Sequence, residues 1–308
     1  MAEPLYSAAA SAMARSKCLR ISTLAAMCLT VSGICRATPG DWALAVNAGA
    51  LGIRPGGVLD SLHDMADAEF SRFRTAYGAT SASMVHTSAL TFGIPSVGFS
   101  MRHRTGERWG WSGTLEVLGF ESHSRITMKG TAGESLEQRW NLDVTGVPVL
   151  VGLWTEIDTP HGWILRAESS AGLTLIHANL AVDRQFTGPG GAVHYWEHDP
   201  LVGVASTLDL CGSIGRRLFS WCSIGIEVGY LLAAPASLGF TNESDVNLDG
   251  FDEYMRGEVL ADRFRSPVDI SLSGWHARLG LNFTAWLTLA ISELNDLSSM
   301  TRLALSSE

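Results

Sequence analysis

Three things are scarce in this chain, and each removes a class of answer. Basic residues are outnumbered, 22 Lys and Arg against 31 Asp and Glu, giving a net charge of −9. A nucleic-acid partner calls for a basic surface, so none is expected. Long apolar runs are missing beyond Ala37, where nothing approaches the ~18 uninterrupted apolar residues of a transmembrane helix. Cysteine is rare, and of the 5 in the chain only Cys211 and Cys222 lie beyond residue 37. What remains is 46% hydrophobic and 17% charged residues, enough either to bury a core or to face lipid.

The N-terminus reads as a secretory signal peptide over residues 1–37. Arg15, Lys17 and Arg20 precede the apolar run Ile21 to Ile34, and Cys35-Arg36-Ala37 offers a small residue for cleavage. Met13 is an alternative start that would shorten the long polar lead. Met27 and Ile34 precede Cys28 and Cys35 where a lipoprotein site needs a small residue. An amphipathic or anchoring helix is the other reading of this run. An exported chain without spanning helices is either a soluble periplasmic or secreted protein, or a β-barrel.

Gly146 to Leu175 decides between them. Val147, Val149, Val151 and Leu153 share one parity; after the turn Asp158-Thr159-Pro160-His161-Gly162, Trp163, Leu165, Ala167, Ala171, Leu173 and Leu175 share another. Arg166, Glu168, Ser170, Gly172 and Thr174 take the opposite face, which is strand alternation with one polar side. Each arm is long enough to cross a bilayer at roughly 9–11 residues per tilted strand.

The unit repeats. Strands are expected over Asp41 to Ile53, Leu90 to His103, Trp109 to about Ile126, Leu136 to Glu156, Trp163 to His177, Leu201 to Cys211, Trp221 to Leu232 and Val268 to Phe283. Long connections at Arg54 to Thr87 (with a short helix near Leu62 to Phe73), Thr127 to Glu137, Ala178 to Asp199 and Ala233 to Pro267 alternate with short turns. Gly215-Arg216-Arg217 is read as one of those turns. The expected fold is all-β: an antiparallel up-and-down transmembrane β-barrel of about eight strands over residues 38–286, long loops on one side and short turns on the other. Residues 287–308 form a tail, with Leu287, Ile291, Leu294 and Leu297 at helical spacing. Trp42, Trp109, Trp154, Trp163, Trp221 and Phe283 fall at the short-turn end, as an interfacial aromatic girdle requires. A soluble lipocalin-like barrel or sandwich would have no reason to gather tryptophans at one rim. Pro95 and Pro148 lie inside strands and call for a bulge or a rim position, as does a parity slip at Ser273-Gly274.

With these strands, long loops and the last strand GWHARLGLNF, the chain resembles the small OmpA/OmpX/OmpW-type barrels. It is nearest to the OmpW kind in Gly40-Asp41-Trp42 followed by Ala48-Gly49-Ala50-Leu51-Gly52-Ile53-Arg54-Pro55. The resemblance implies the bacterial outer membrane, outer-membrane lipid and the barrel-assembly machinery as partners, Phe283 as the assembly signal, and passive uptake of small hydrophobic solutes or a structural and surface role. The tail beyond Phe283 departs from that pattern, and Trp286 is the alternative terminal aromatic.

Inward parity carries Glu116, Arg166, Glu168, Glu227 and Arg278. An eight-strand barrel is nearly filled by side chains, so these charges should pair, either as a gate or as a static plug. Cys211 and Cys222 straddle the expected turn and are a disulfide candidate. Asp245-x-Asn247-x-Asp249-Gly250 copies half of a calcium loop, but Arg256 stands where the bidentate Glu belongs, so no metal site is assigned. His86 and Ser88 have the His-x-Ser spacing of a lipid A deacylase, with no acid to orient them. The expectation is a non-enzymatic narrow passive channel without cofactor; the alternatives are a closed barrel whose loops bind a host, matrix or envelope ligand, and a lipid A-modifying enzyme.

Overall fold

The computed structural model describes residues 42–53, 57–78, 81–87, 91–219, 221–243, 255–260 and 267–283. The chain divides into Met1–Pro39 and Gly40–Glu308, and every described residue belongs to the second unit. The signal peptide, the tail, Ser88, Trp286 and the Asp245, Asn247, Asp249 motif lie outside the described residues.

Alternating sequence produces β1 (Trp42–Ile53), β3 (Thr91–Arg104), β4 (Trp109–Lys129), β5 (Ser135–Asp158), β6 (Trp163–Gly188), β7 (Gly191–Phe219), β8 (Cys222–Ala233) and β12 (Gly274–Phe283). Each pairs antiparallel with its neighbours; β1 pairs with both β3 and β12, and β8 with both β7 and β12, so the eight strands close into a ring. The tilt can be read from the register. A walk from Gly146 on β5 through Leu118, Ser96, Gly49, Arg278, Glu227, Ser213 and Arg166 returns to β5 at Glu156, ten residues further on. A ring with that stagger tilts its strands by roughly 35–45° and leaves an interior that side chains fill.

Along each long strand the faces exchange character with height. On β5 the outward residues Val147, Val149, Val151 and Leu153 give way above Gly146 to Thr145, Asp143, Asn141, Arg139 and Glu137. The inward residues change the other way, from Glu156 and Gly152 to Val144, Leu142, Trp140 and Leu136. β4 switches between Val117 and Glu121, and β6 between Leu175 and His177. Below the switch the ring has a bilayer's solvent outside; above it the sheet is an ordinary water-facing structure around an apolar core.

That upper core corrects two expected loops. Strand pairing runs unbroken through 127–129 and 135–137, and through 178–188 and 191–199, to tight turns at residues 130–134 and Pro189-Gly190. Gly191, at φ 110°, closes the second turn in a conformation natural to glycine. These segments looked like loops because their polar side faces outward and their apolar side inward, opposite to the lower halves. Helix α1 (Gly57–Tyr77) is longer than expected. It buries Val58, Ala66 and Phe73, has Asp60 in its first turn and Arg74 in its last, and ends at Gly78, whose N–H donates to the Arg74 carbonyl at 3.1 Å. β2 (Ser81–Thr87) pairs with the top of β4. β9 (Ala236–Ser237), β10 (Gly239–Phe240) and β11 (Asp269–Ile270) fold the last connection onto the same core through Leu238, Phe240 and Ile270.

Pro148 sits at no bulge, whereas Pro95 stands beside a register shift in the β1–β3 ladder, between Leu51 and Ile53. Pro95 ends the β3–β4 ladder; opposite Pro148 the β4–β5 pairing lapses at Glu116 and Val117 and resumes in register, because proline has no N–H to donate. Ser273 precedes β12, so the parity slip is a strand boundary.

Candidate functional site: the barrel lumen

The inward side chains below the apolar core form three ionic layers. In the uppermost, the Arg278 guanidinium of β12 reaches across to both carboxylate oxygens of Glu116 on β4. Its Nη1 donates to Glu227 Oε1 at 2.7 Å and Asp209 Oδ2 at 3.2 Å. Asp209 also holds His276 Nε2 at 2.7 Å. In the middle layer, Arg102 donates to Glu168 Oε2 at 3.1 Å and Asn282 Oδ1 at 2.7 Å, and lies 3.7 Å from the second oxygen of Glu227, which joins the layers. Ser112 Oγ donates to Glu168 Oε1 at 2.6 Å. In the lowest, Glu156 accepts from Arg104 at 2.8 Å and from Arg166. Trp154 forms the floor, its ring 5.7 Å from the Arg104 guanidinium and 5.8 Å from that of Arg166, its indole N–H donating to the Trp111 carbonyl at 3.0 Å.

Local sequence makes room for these groups. Gly49 lies opposite Arg278, and a Cβ there would stand 2.8 Å from the arginine Cγ. Ser112 and His276 are 0% and 2% exposed, so side chains fill the upper and middle layers where a through-passage would run. A cavity of about 20 Å³ between Asn47, Arg102, Arg166 and Asn282 has room for about one water.

All five charges read from sequence, Glu116, Arg166, Glu168, Glu227 and Arg278, face the lumen and pair there. Arg102, Arg104, Glu156, Asp209 and His276 complete the network and were missed. Their signal was the same inward parity on β3, β5, β7 and β12, which the apolar residues of those strands conceal.

Three expectations need correction. Cys211 faces inward opposite Gly229, whereas Cys222 lies on the other face, opposite Phe219; both are free. β7 runs on through Gly215-Arg216-Arg217, because Arg216 lies over Trp163 and Arg217 pairs with Asp158, and this displaces the turn. Trp154 belongs to the lumen floor and not to the girdle. Trp109, Trp163 and Trp221 are exposed at the short-turn rim; Trp42 faces outward but is covered by His103 and Trp111, and Phe283 stacks on Trp221 at 6.2 Å. Among the described residues no cluster could hold a metal ion, and no helix is long and apolar enough to cross a membrane.

The outer face settles the environment. Val151 is 66% exposed, Leu153 63% and Ile226 54%, in a belt around a ring with no open edge, an arrangement that is soluble only in hydrocarbon. The chain is a small transmembrane β-barrel. No protein-family profile and no curated sequence matches it. Among solved structures the barrel is similar to outer membrane protein OprG from Pseudomonas aeruginosa, at 11% identity over 80% of this chain and 96% of that one, TM-score 0.39. It is also similar to Neisserial surface protein A (10%, 79% and 96%, TM-score 0.30) and to Ail, the attachment invasion locus protein of Yersinia pestis (9%, 80% and 100%, TM-score 0.27).

Proposed function

We propose that the barrel is a closed, non-enzymatic scaffold whose cell-surface β-structure binds a host or envelope partner, in preference to the reading as a passive channel for hydrophobic solutes. One observation carries this: each lumen carboxylate, Glu116, Glu156, Glu168, Asp209 and Glu227, is buried and touches a guanidinium beneath the apolar core. Opening the lumen means separating several buried ion pairs at once, and a buried pair that loses one partner costs about 3–5 kcal/mol. The lumen charges act in this reading as a static plug and not as a gate. The surface available to a partner is the β6–β7 hairpin, where Val193 is 62% and Trp196 65% exposed above the lipid belt, with His198 stacked on Trp196.

Planar-bilayer recording of the purified barrel, with and without small hydrophobic solutes, tests the reading. Silence is expected. Discrete conductance in the wild-type protein would restore the channel.

A further inference from the structure

On the lipid-facing surface the belt carries a depression of about 460 Å³. That is within the roughly 300–1,000 Å³ of small-molecule sites. Its floor is Ala167 on β6 and Gly212 on β7, directly opposite each other in the ladder, with Thr155 and Val228 to either side. Leu165 and Ile214, the next outward pair toward the short turns, form its lower wall.

One step further on, Trp163 and Arg216 are the next pair, at the rim. The Arg216 guanidinium is held 5.7 Å from the Trp163 ring centroid. Unlike Arg217, which pairs with Asp158, Arg216 makes no ion pair among the described residues. Gly212 and Arg216 are four residues apart on one strand, about 13 Å at strand rise. An apolar trough therefore ends, one headgroup length away, at a fixed cation in the interfacial girdle.

We infer that this is a phospholipid site: an acyl chain of the periplasmic leaflet lies over Ala167 and Gly212, and its anionic headgroup rests on Arg216. The chemistry is complementary at both ends. The trough opens only to hydrocarbon, and an arginine at a membrane surface attracts an anionic lipid, whereas a zwitterionic one offers it a compensated charge. The site does not depend on whether the lumen conducts.

Gly212 permits a clean test, because a Cβ built there meets nothing nearer than the Arg166 carbonyl oxygen at 3.9 Å. Gly212→Leu therefore fills the trough without disturbing the ring. Gly113→Leu is the control, since it adds the same bulk to the outer face of β4, where a Cβ meets nothing within 4 Å. The detergent-purified full-length barrel is delipidated, titrated with phosphatidylglycerol or phosphatidylethanolamine, and examined by native mass spectrometry. Wild type and Gly113→Leu should retain phosphatidylglycerol and Gly212→Leu should lose it. Arg216→Gln should still bind phospholipid while its preference for phosphatidylglycerol falls about fivefold, the worth of one basic residue at an anionic surface. Undiminished binding by Gly212→Leu, or equal loss in Gly113→Leu, would overturn the trough; an unchanged preference in Arg216→Gln would overturn the headgroup contact. A wild-type dimer that Gly212→Leu turns into a monomer would assign the surface to a second copy of the chain and overturn the lipid.

Discussion

Arg278 and Glu116, 162 residues apart in the chain and on strands separated by β1 and β3, meet across the lumen in a two-point ion pair. The pair is unequal in its dependents: Arg278 also serves Asp209 and Glu227, while Glu116 pairs with Arg278 alone among the described residues.

Replacing the two partners should therefore have unequal effects. Arg278→Met leaves Glu116 with no cation and takes one partner each from Asp209 and Glu227 in a buried section, and should destabilise the barrel by about 3–5 kcal/mol. Glu116→Gln leaves Arg278 two other carboxylates and should cost about 1–3 kcal/mol. Urea unfolding in micelles, followed by the mobility difference between folded and unfolded barrel, measures both. Equal losses would count against the shared network.

The exchange of faces along β5 gives opposite outcomes for one substitution at two heights. Val151→Arg, in the middle of the outward belt, should cost about 2–4 kcal/mol in a bilayer. Asn141→Arg, ten residues earlier on the same outward face, should stay within about 0.5 kcal/mol. Refolding yield into phospholipid vesicles separates them, and the idea fails if Asn141→Arg is the more damaging.

Trp140, 2% exposed, is the largest fully buried side chain of the upper core. Trp140→Ala should remove about 3–5 kcal/mol from that region while the belt-enclosed part survives. Limited proteolysis of whole cells should then cleave the variant near the β4–β5 and β6–β7 turns and spare the wild type. Resistance equal to wild type would show that the upper sheet does not depend on this core.

The cysteines should be chemically independent. The intact mass of the barrel, Gly40 to Glu308, should be the same before and after reduction, and Cys211→Ala and Cys222→Ala should migrate as wild type on non-reducing gels. A mass difference would mean that the register of β7 against β8 slips from the one described.

The lower half of the ring was legible because its outward residues, Val147 to Leu153 on β5 and Leu165 to Leu175 on β6, alternate with inward Arg166, Glu168, Ser170 and Thr174, although Leu150, Trp154 and Ile164 also point inward. The upper half was misread where that alternation reverses: Leu180 and Val182 are as regularly spaced as Leu173 and Leu175 but point inward. Parity alone cannot tell which side of a strand meets water. Arg216 and Arg217 were taken as turn formers, because nothing local reveals that Trp163 and Asp158, on the neighbouring strand, receive them. Asp209 and His276 stand among hydrophobic neighbours, and their partnership at 2.7 Å joins positions 67 residues apart.

The boundary at Thr145 and Val147 on β5, matched by His177 and Leu175 on β6, works as a depth gauge. Sinking the molecule by one same-face step, about 7 Å along a strand, would drag the threonine and histidine into oil; raising it would leave valine and leucine in brine. Vertical position is thus written into the strands themselves on the side that has no tryptophan collar, and the surface hairpins stand at a fixed height above the lipid.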